Sequence, residues 1–84
     1  MRVLYFYLMK AAPDRVQAVA PAHAEYWNAM GLGEYLGGPF ADRSGGLITF
    51  EVASIAEAER LVTRDPFVQE HLLERRWLQQ WLID

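Results

Sequence analysis

His71-Leu72-Leu73-Glu74-Arg75-Arg76-Trp77-Leu78-Gln79-Gln80-Trp81-Leu82-Ile83-Asp84 is the stretch on which the fold turns. Read at helical period, Leu73, Trp77, Leu78, Trp81 and Leu82 form a stripe; read at period two, Leu73, Trp77 and Trp81 share one face of a strand. Periodicity alone favours the helix slightly. The rest of the chain decides between a largely helical protein and an α+β one.

Working outward, Ser54 followed by Glu57 is a capping box, in which the Ser hydroxyl accepts from the N–H three residues on. Ile55, Ala58, Leu61 and Val62 supply the buried stripe of the helix it opens, and Asp65-Pro66 closes that helix, because proline pushes the preceding residue out of the helical region. Before it, Leu47 to Val52 alternates as a strand, with Ile48, Phe50 and Val52 on one face and Leu47, Thr49 and Glu51 on the other. Ala41 to Gly46 is turn chemistry, and Glu34 to Leu36 reads as a short strand closed by Gly37-Gly38-Pro39. Pro21 interrupts the first helical pattern. The expected arrangement is a short turn N-capped by Asp14, with Gln17 completing a capping box, and a second helical segment from Pro21 to about Met30, ended by Gly31 and Gly33. Val3 to Met9 is a strand covered on both faces, with Val3, Tyr5, Tyr7 and Met9 on one side and Leu4, Phe6 and Leu8 on the other.

Strand, helix, strand, strand, helix and a terminal element is the ferredoxin-like βαββαβ plan if the end is a strand. Two helices on one face of an antiparallel sheet leave a place for a fourth strand, so the terminal stretch is assigned as strand. The expected protein is α+β. A sheet face bearing Tyr5 and Tyr7, with Leu47 and Thr49, is expected to meet its copy in a dimer.

Composition bounds the function. The chain has 84 residues, enough for one domain, residues 1–84. Its apolar content of 52%, with three Trp, four Tyr and four Phe, is too high for disorder. A core of this size supplies about 3–5 kcal/mol of net stability, so association is expected. Cysteine is absent, which excludes disulfides and thiolate chemistry and suits a cytoplasmic setting. A net charge of -3 without clustered positive residues argues against nucleic acid. The apolar run at Val3–Met9 is too short to span a bilayer and lacks a cleavage site. No phosphate-binding, nucleophile-elbow or metal-spacing pattern surrounds Gly31-Leu32-Gly33, Ser44, Ser54 or the two histidines, so neither a metal nor a cofactor is expected.

What remains is His23 on one helix and Asp65 at the end of another. Side-by-side helices bring such positions together, and a carboxylate on one imidazole nitrogen sets the tautomer and leaves the other nitrogen to move protons. The plainer alternative is that Asp65 only stops a helix and His23 is a partly exposed helical residue.

Pro21-Ala22-His23, Gly37-Gly38-Pro39-Phe40, Ile48 to Val52 with Ser54-Ile55-Ala56-Glu57-Ala58, and Asp65-Pro66-Phe67-Val68 follow one another in an order and spacing that resemble the YciI-like (YCII-related) family. The resemblance spans essentially the whole chain. It implies a ferredoxin-like fold that dimerises through its sheets into a dimeric α+β barrel, and an active-site pair at His23 and Asp65. Members include a dehydrochlorinase of chlorinated hydroxyhydroquinones and relatives grouped with lactone isomerases. The implied activity is a cofactor-independent lyase or isomerase of small hydroxylated aromatics, enols or lactones. Tyr7 and Tyr5 would hydrogen-bond or stack on a ring, Trp27 would form a wall and Arg43 an anion contact; packing in the core and dimer interface is the plainer role of the aromatics. The stretch between His23 and Gly38 and the loop before Leu47 are shorter than in longer members. Two other readings stand beside this one: a quinol or haem oxygenase drawing on His71, Trp77 and Trp81, and a non-catalytic small-ligand-binding dimer.

Overall fold

The computed structural model describes residues 1–84, and its elements run β1 (Arg2–Met9), α1 (Pro13–Ala29), β2 (Leu36–Pro39), β3 (Gly45–Glu51), α2 (Ile55–Thr63), α3 (Pro66–Gln69) and β4 (Leu73–Gln80). The four strands form one antiparallel sheet in the order β2-β3-β1-β4. With the helices on one face, this is the ferredoxin-like α+β plan.

The terminal stretch is a strand because pairing overrides its local pattern. β4 is laddered to β1 from Val3↔Gln80 to Leu8↔Arg75, with an irregularity between Leu8 and Met9. That shift lets Leu73, opposite Met9, pack on the core together with Leu78. Trp77 lies opposite Phe6 on the other face, and Trp81 lies beyond the strand, exposed. The expected single row of Leu73, Trp77 and Trp81 therefore does not form.

Register also corrects the two faces of the sheet. Tyr5 pairs with Ile48 and Tyr7 with Gly46, so both tyrosines point toward the helices and are almost wholly buried. Leu47 and Thr49 pair with Phe6 and Leu4 on the opposite, helix-free face. A slip of one residue exchanges faces, and the expected surface of Tyr5, Tyr7, Leu47 and Thr49 mixed the two. The core joins Val3, Tyr5, Tyr7, Ile48, Phe50 and Val52 of the sheet side with Trp27, Ala58, Val62, Phe67 and Leu72.

α1 is one helix rather than two. Pro13 occupies its first turn, where a missing N–H costs nothing, and Ala12 precedes it without a side-chain cap. Asp14 lies inside the first turn, its carboxylate accepting from the Arg15 N–H at 2.9 Å, so the expected Asp14–Gln17 capping box is not the one used. Pro21 sits within the helix. A mid-helix proline removes one hydrogen bond at a cost of about 3 kcal/mol, which is offset where both flanking turns are packed. Here Val16, Val19 and Ala20 pack on the core before Pro21, and Trp27 is buried after it. The second short strand begins at Leu36 and runs through Gly37-Gly38-Pro39, where the sequence predicts a turn. It is an edge strand, fully exposed, where proline is tolerated. Ser54 caps α2 as expected, accepting from the Glu57 N–H at 3.2 Å.

Candidate active site

The site is built where α1 passes the junction of α2 and α3. Pro66 holds Asp65 out of the helical region, at φ -57° and ψ 130°, between the two helices. In that position Asp65 is the N-cap of α3, and its Oδ1 accepts from the Phe67 N–H at 2.9 Å. The carboxylate is completely buried.

A buried carboxylate must be supplied with donors. α1 supplies two, from residues one turn apart on the same side of the helix. His23 Nδ1 lies 2.8 Å from Asp65 Oδ1, and Trp27 Nε1–H donates to Asp65 Oδ2 at 3.1 Å. Since the carboxylate only accepts, the Nδ1 proton faces Asp65 and Nε2 of neutral His23 carries the lone pair. Phe67 stacks on the imidazole, with ring centroids 4.1 Å apart and planes 16° from parallel, so both the edge and the face of the ring are held.

Nε2 faces a cleft of about 610 Å³ between α1 and the β2–β3 edge, lined among others by Tyr7, Asn28, Tyr35, Pro39 and Phe67. The Tyr7 hydroxyl lies 3.4 Å from Nε2, a loose contact. Burial, followed by the negative charge of Asp65 and the proximity of Tyr35, pushes the Tyr7 phenol far above its usual range, so it stays a neutral donor. Tyr35 is raised by the same two leading causes, burial and Asp65.

The candidates named from sequence fall into three groups. His23 and Asp65 meet, with His23 opening on the cleft and Asp65 behind it. Tyr7 and Arg43 line the cleft, Arg43 from the turn between β2 and β3 at φ 64°. Tyr5 and Trp27 do not line it: both lie beneath the surface, 0% and 1% exposed, and Trp27 serves Asp65 instead of forming a wall. Burial and the charge of Asp65 also push the Tyr5 phenol far upward, and its hydroxyl has no hydrogen-bond partner at normal geometry. His71, Trp77 and Trp81 are absent from the cleft lining. Sequence reasoning missed Tyr35, Asn28 and the imidazole-stacking role of Phe67. Phe67 had a signal, since it follows Asp65-Pro66 directly; Tyr35 had none, because its place depends on how α1 stands over the sheet. No cluster of three or more His, Cys, Asp or Glu side chains is placed to hold a metal ion.

The YCII-related domain matches residues 2–82. The chain belongs to that family. Among solved structures, this YCII-related domain is similar to 5-chloro-2-hydroxyhydroquinone dehydrochlorinase (TftG) from Burkholderia phenoliruptrix, determined in complex with 2,5-dihydroxybenzoquinone. The TM-score is 0.83 at 20% identity, covering 98% of this chain and 94% of that one. At that identity the likeness is one of fold. No curated protein matches the chain.

Proposed function

We propose that this YCII-related domain is a cofactor-independent lyase or isomerase of small hydroxylated aromatic, enol or lactone substrates, with His23 as general acid/base and Asp65 as the residue that orients it. The observation that carries this reading is the 2.8 Å contact of His23 Nδ1 with buried Asp65 while Nε2 faces the cleft. Nε2 accepts a proton from a hydroxyl or from a carbon beside a carbonyl, and Asp65 stabilises the imidazolium that forms. The electron pair left on the substrate then takes the proton back at another atom, which is isomerisation, or expels a halide, which is elimination of the hydrogen halide. Only protons move between protein and substrate, so no cofactor is required. Arg43, on the cleft lining and in no ion pair, is positioned to meet an anionic substituent. The dehydrochlorinase function of the structural relative supports the lyase branch.

The reading includes a cytoplasmic homodimer joined through the helix-free sheet face. That face carries Leu4, Phe6, Leu8 and Leu47, with Phe6 against Phe40 and Trp77 at centroid distances of 5.3 and 5.0 Å. No helix is long and apolar enough to cross a membrane.

His23→Ala and Asp65→Asn, assayed beside the wild type on a panel of chlorinated hydroxyquinols and enol lactones, test the dyad. Loss of the base is expected to lower kcat by about 10²–10⁴-fold. Asp65→Asn is expected to act on kcat more than on KM, because it disturbs tautomer and orientation rather than substrate contact. Equal activity in all three proteins removes the dyad.

A further inference from the structure

Two glycines on neighbouring strands clear room on the helix-side face of the sheet. Gly46 of β3 lies opposite Tyr7 of β1, and a Cβ at Gly46 would overlap the Tyr7 hydroxyl and ring. Gly37 of β2 lies opposite Ile48, and a Cβ there would meet the Tyr35 hydroxyl at 2.7 Å and Ile48 Cγ1 at 2.9 Å. Because Pro39 pairs with Gly46 and Gly37 with Ile48, the two glycines are diagonal neighbours on one face. Their missing side chains make a floor on which two phenol hydroxyls lie, one strand apart, within the cleft that His23 faces.

We propose that Tyr7 and Tyr35 are a pair of hydroxyl donors for a planar oxyanion, an enolate or phenolate oxygen of the substrate, held beside His23 Nε2. This deepens the preceding section and rests on its assignment of His23 as the base. A base that takes a proton next to a carbonyl, or from a ring hydroxyl, leaves negative charge on oxygen, and fixed donors aimed at that oxygen lower the barrier. Both phenols are held neutral by burial and by Asp65, so each keeps the proton it must donate. The 3.4 Å contact of Tyr7 with Nε2 is weak enough to be exchanged for a charge-assisted bond to a ligand. The Tyr35 ring lies nearly parallel to the Trp27 ring, with centroids 6.5 Å apart and planes 18° from parallel, which places the second donor next to the residue that holds Asp65. Tyr35 is thereby a catalytic residue that no motif announces.

The test reads binding rather than turnover. Wild type, Tyr35→Phe and Tyr7→Phe are titrated with para-nitrophenol, whose ionised form is coloured, and with para-nitrotoluene as a neutral ring of similar shape. The wild type is expected to bind the phenolate in preference and to lower the apparent pKa of the bound phenol. Each Phe variant is expected to lose about tenfold or more in phenolate affinity, with little change for the neutral ring. Gly37→Ala, which displaces the Tyr35 hydroxyl while keeping the residue, should reproduce the Tyr35→Phe result. The pair is overturned if the wild type shows no preference for the phenolate, if Tyr35→Phe binds it as tightly as wild type, or if both ligands weaken together. A protein that selects phenolate through both hydroxyls yet turns over no member of the substrate panel keeps the donor pair and loses the lyase reading. Turnover that depends on His23 but not on Tyr35 does the reverse.

Discussion

Asp65 concentrates the chemistry of the chain in one carboxylate. Three donors reach it, from His23, Trp27 and the Phe67 backbone, and its charge adds to burial, the larger cause, in raising the phenols of Tyr5, Tyr7, Tyr26 and Tyr35. His23 and Asp65 could be singled out in the sequence because few other residues offered proton chemistry and because Pro66 fixes the backbone at Asp65. Trp27 and Tyr5 were legible as large aromatics but not in role: their side chains turn inward through the register of β1 and the phase of α1, which no local pattern encodes. The raised phenols give a prediction at this scale. Tyr5 and Tyr7 have folded pKa values above the ordinary tyrosine value of about 10, so their contribution to stability is complete below about pH 10 and is lost as pH rises beyond it. On alkaline titration, followed by tyrosinate absorbance and far-ultraviolet circular dichroism, these two phenols should ionise only as the fold is lost. All four tyrosines titrating near pH 10 in an intact fold would contradict the buried placement.

At the scale of elements, the devices that read correctly are those whose physics is local. The Ser54 cap and the apolar positions Ala58 and Val62 belong to one short helix, α2, and they appear as expected. Ile55, counted with that stripe, is exposed at 41%. Two elements, α1 and β4, have a local pattern that misleads, and β4 is assigned as a strand through topology and not through its own periodicity; both owe their form to neighbours. Pro21 fails to break α1 because the core grips both halves, and β4 is a strand because β1 offers it a ladder. The cap can be weighed directly. Ser54→Ala removes the acceptor for the Glu57 N–H and is expected to cost about 1 kcal/mol, seen as a lower urea midpoint with an unchanged slope. His23 and Asp65 stand outside α2, so ligand binding at temperatures well below unfolding should be unaltered. A midpoint equal to wild type would mean that the Ser54 bond contributes nothing.

For the whole molecule, size sets the remaining question. One sheet face is covered by α1, α2 and α3, and the core of 11 buried residues lies there. The other face presents Leu4, Phe6, Leu8, Leu47 and Trp77, each only half-buried, with Arg75 stacked 5.0 Å over Trp77 and the Arg2–Glu34 pair at its edge. An apolar centre with a charged rim is the anatomy of an interface. Read from sequence, Tyr5 and Tyr7 share one surface with Leu47 and Thr49; the register buries the two tyrosines in the core and turns the other two to the open face, because composition counts side chains without saying which way they turn. Phe6 is the residue on which the proposed dimer can be tested without touching the cleft, since it lies on the open face opposite Leu47, against the Phe40 and Trp77 rings, and does not line the cleft. Phe6→Lys places a charge at the centre of the open face, and a like charge in each copy opposes pairing there. Light scattering should give a mass near twice the 9.7 kDa chain for wild type and near the single chain for the variant, with the circular dichroism of the two alike. If the variant monomer also retains phenolate binding, the cleft is complete within one chain; if binding falls with the mass, the second copy supplies part of its wall. A wild type that is monomeric at all concentrations, or a variant that still pairs, would remove the open face as the interface.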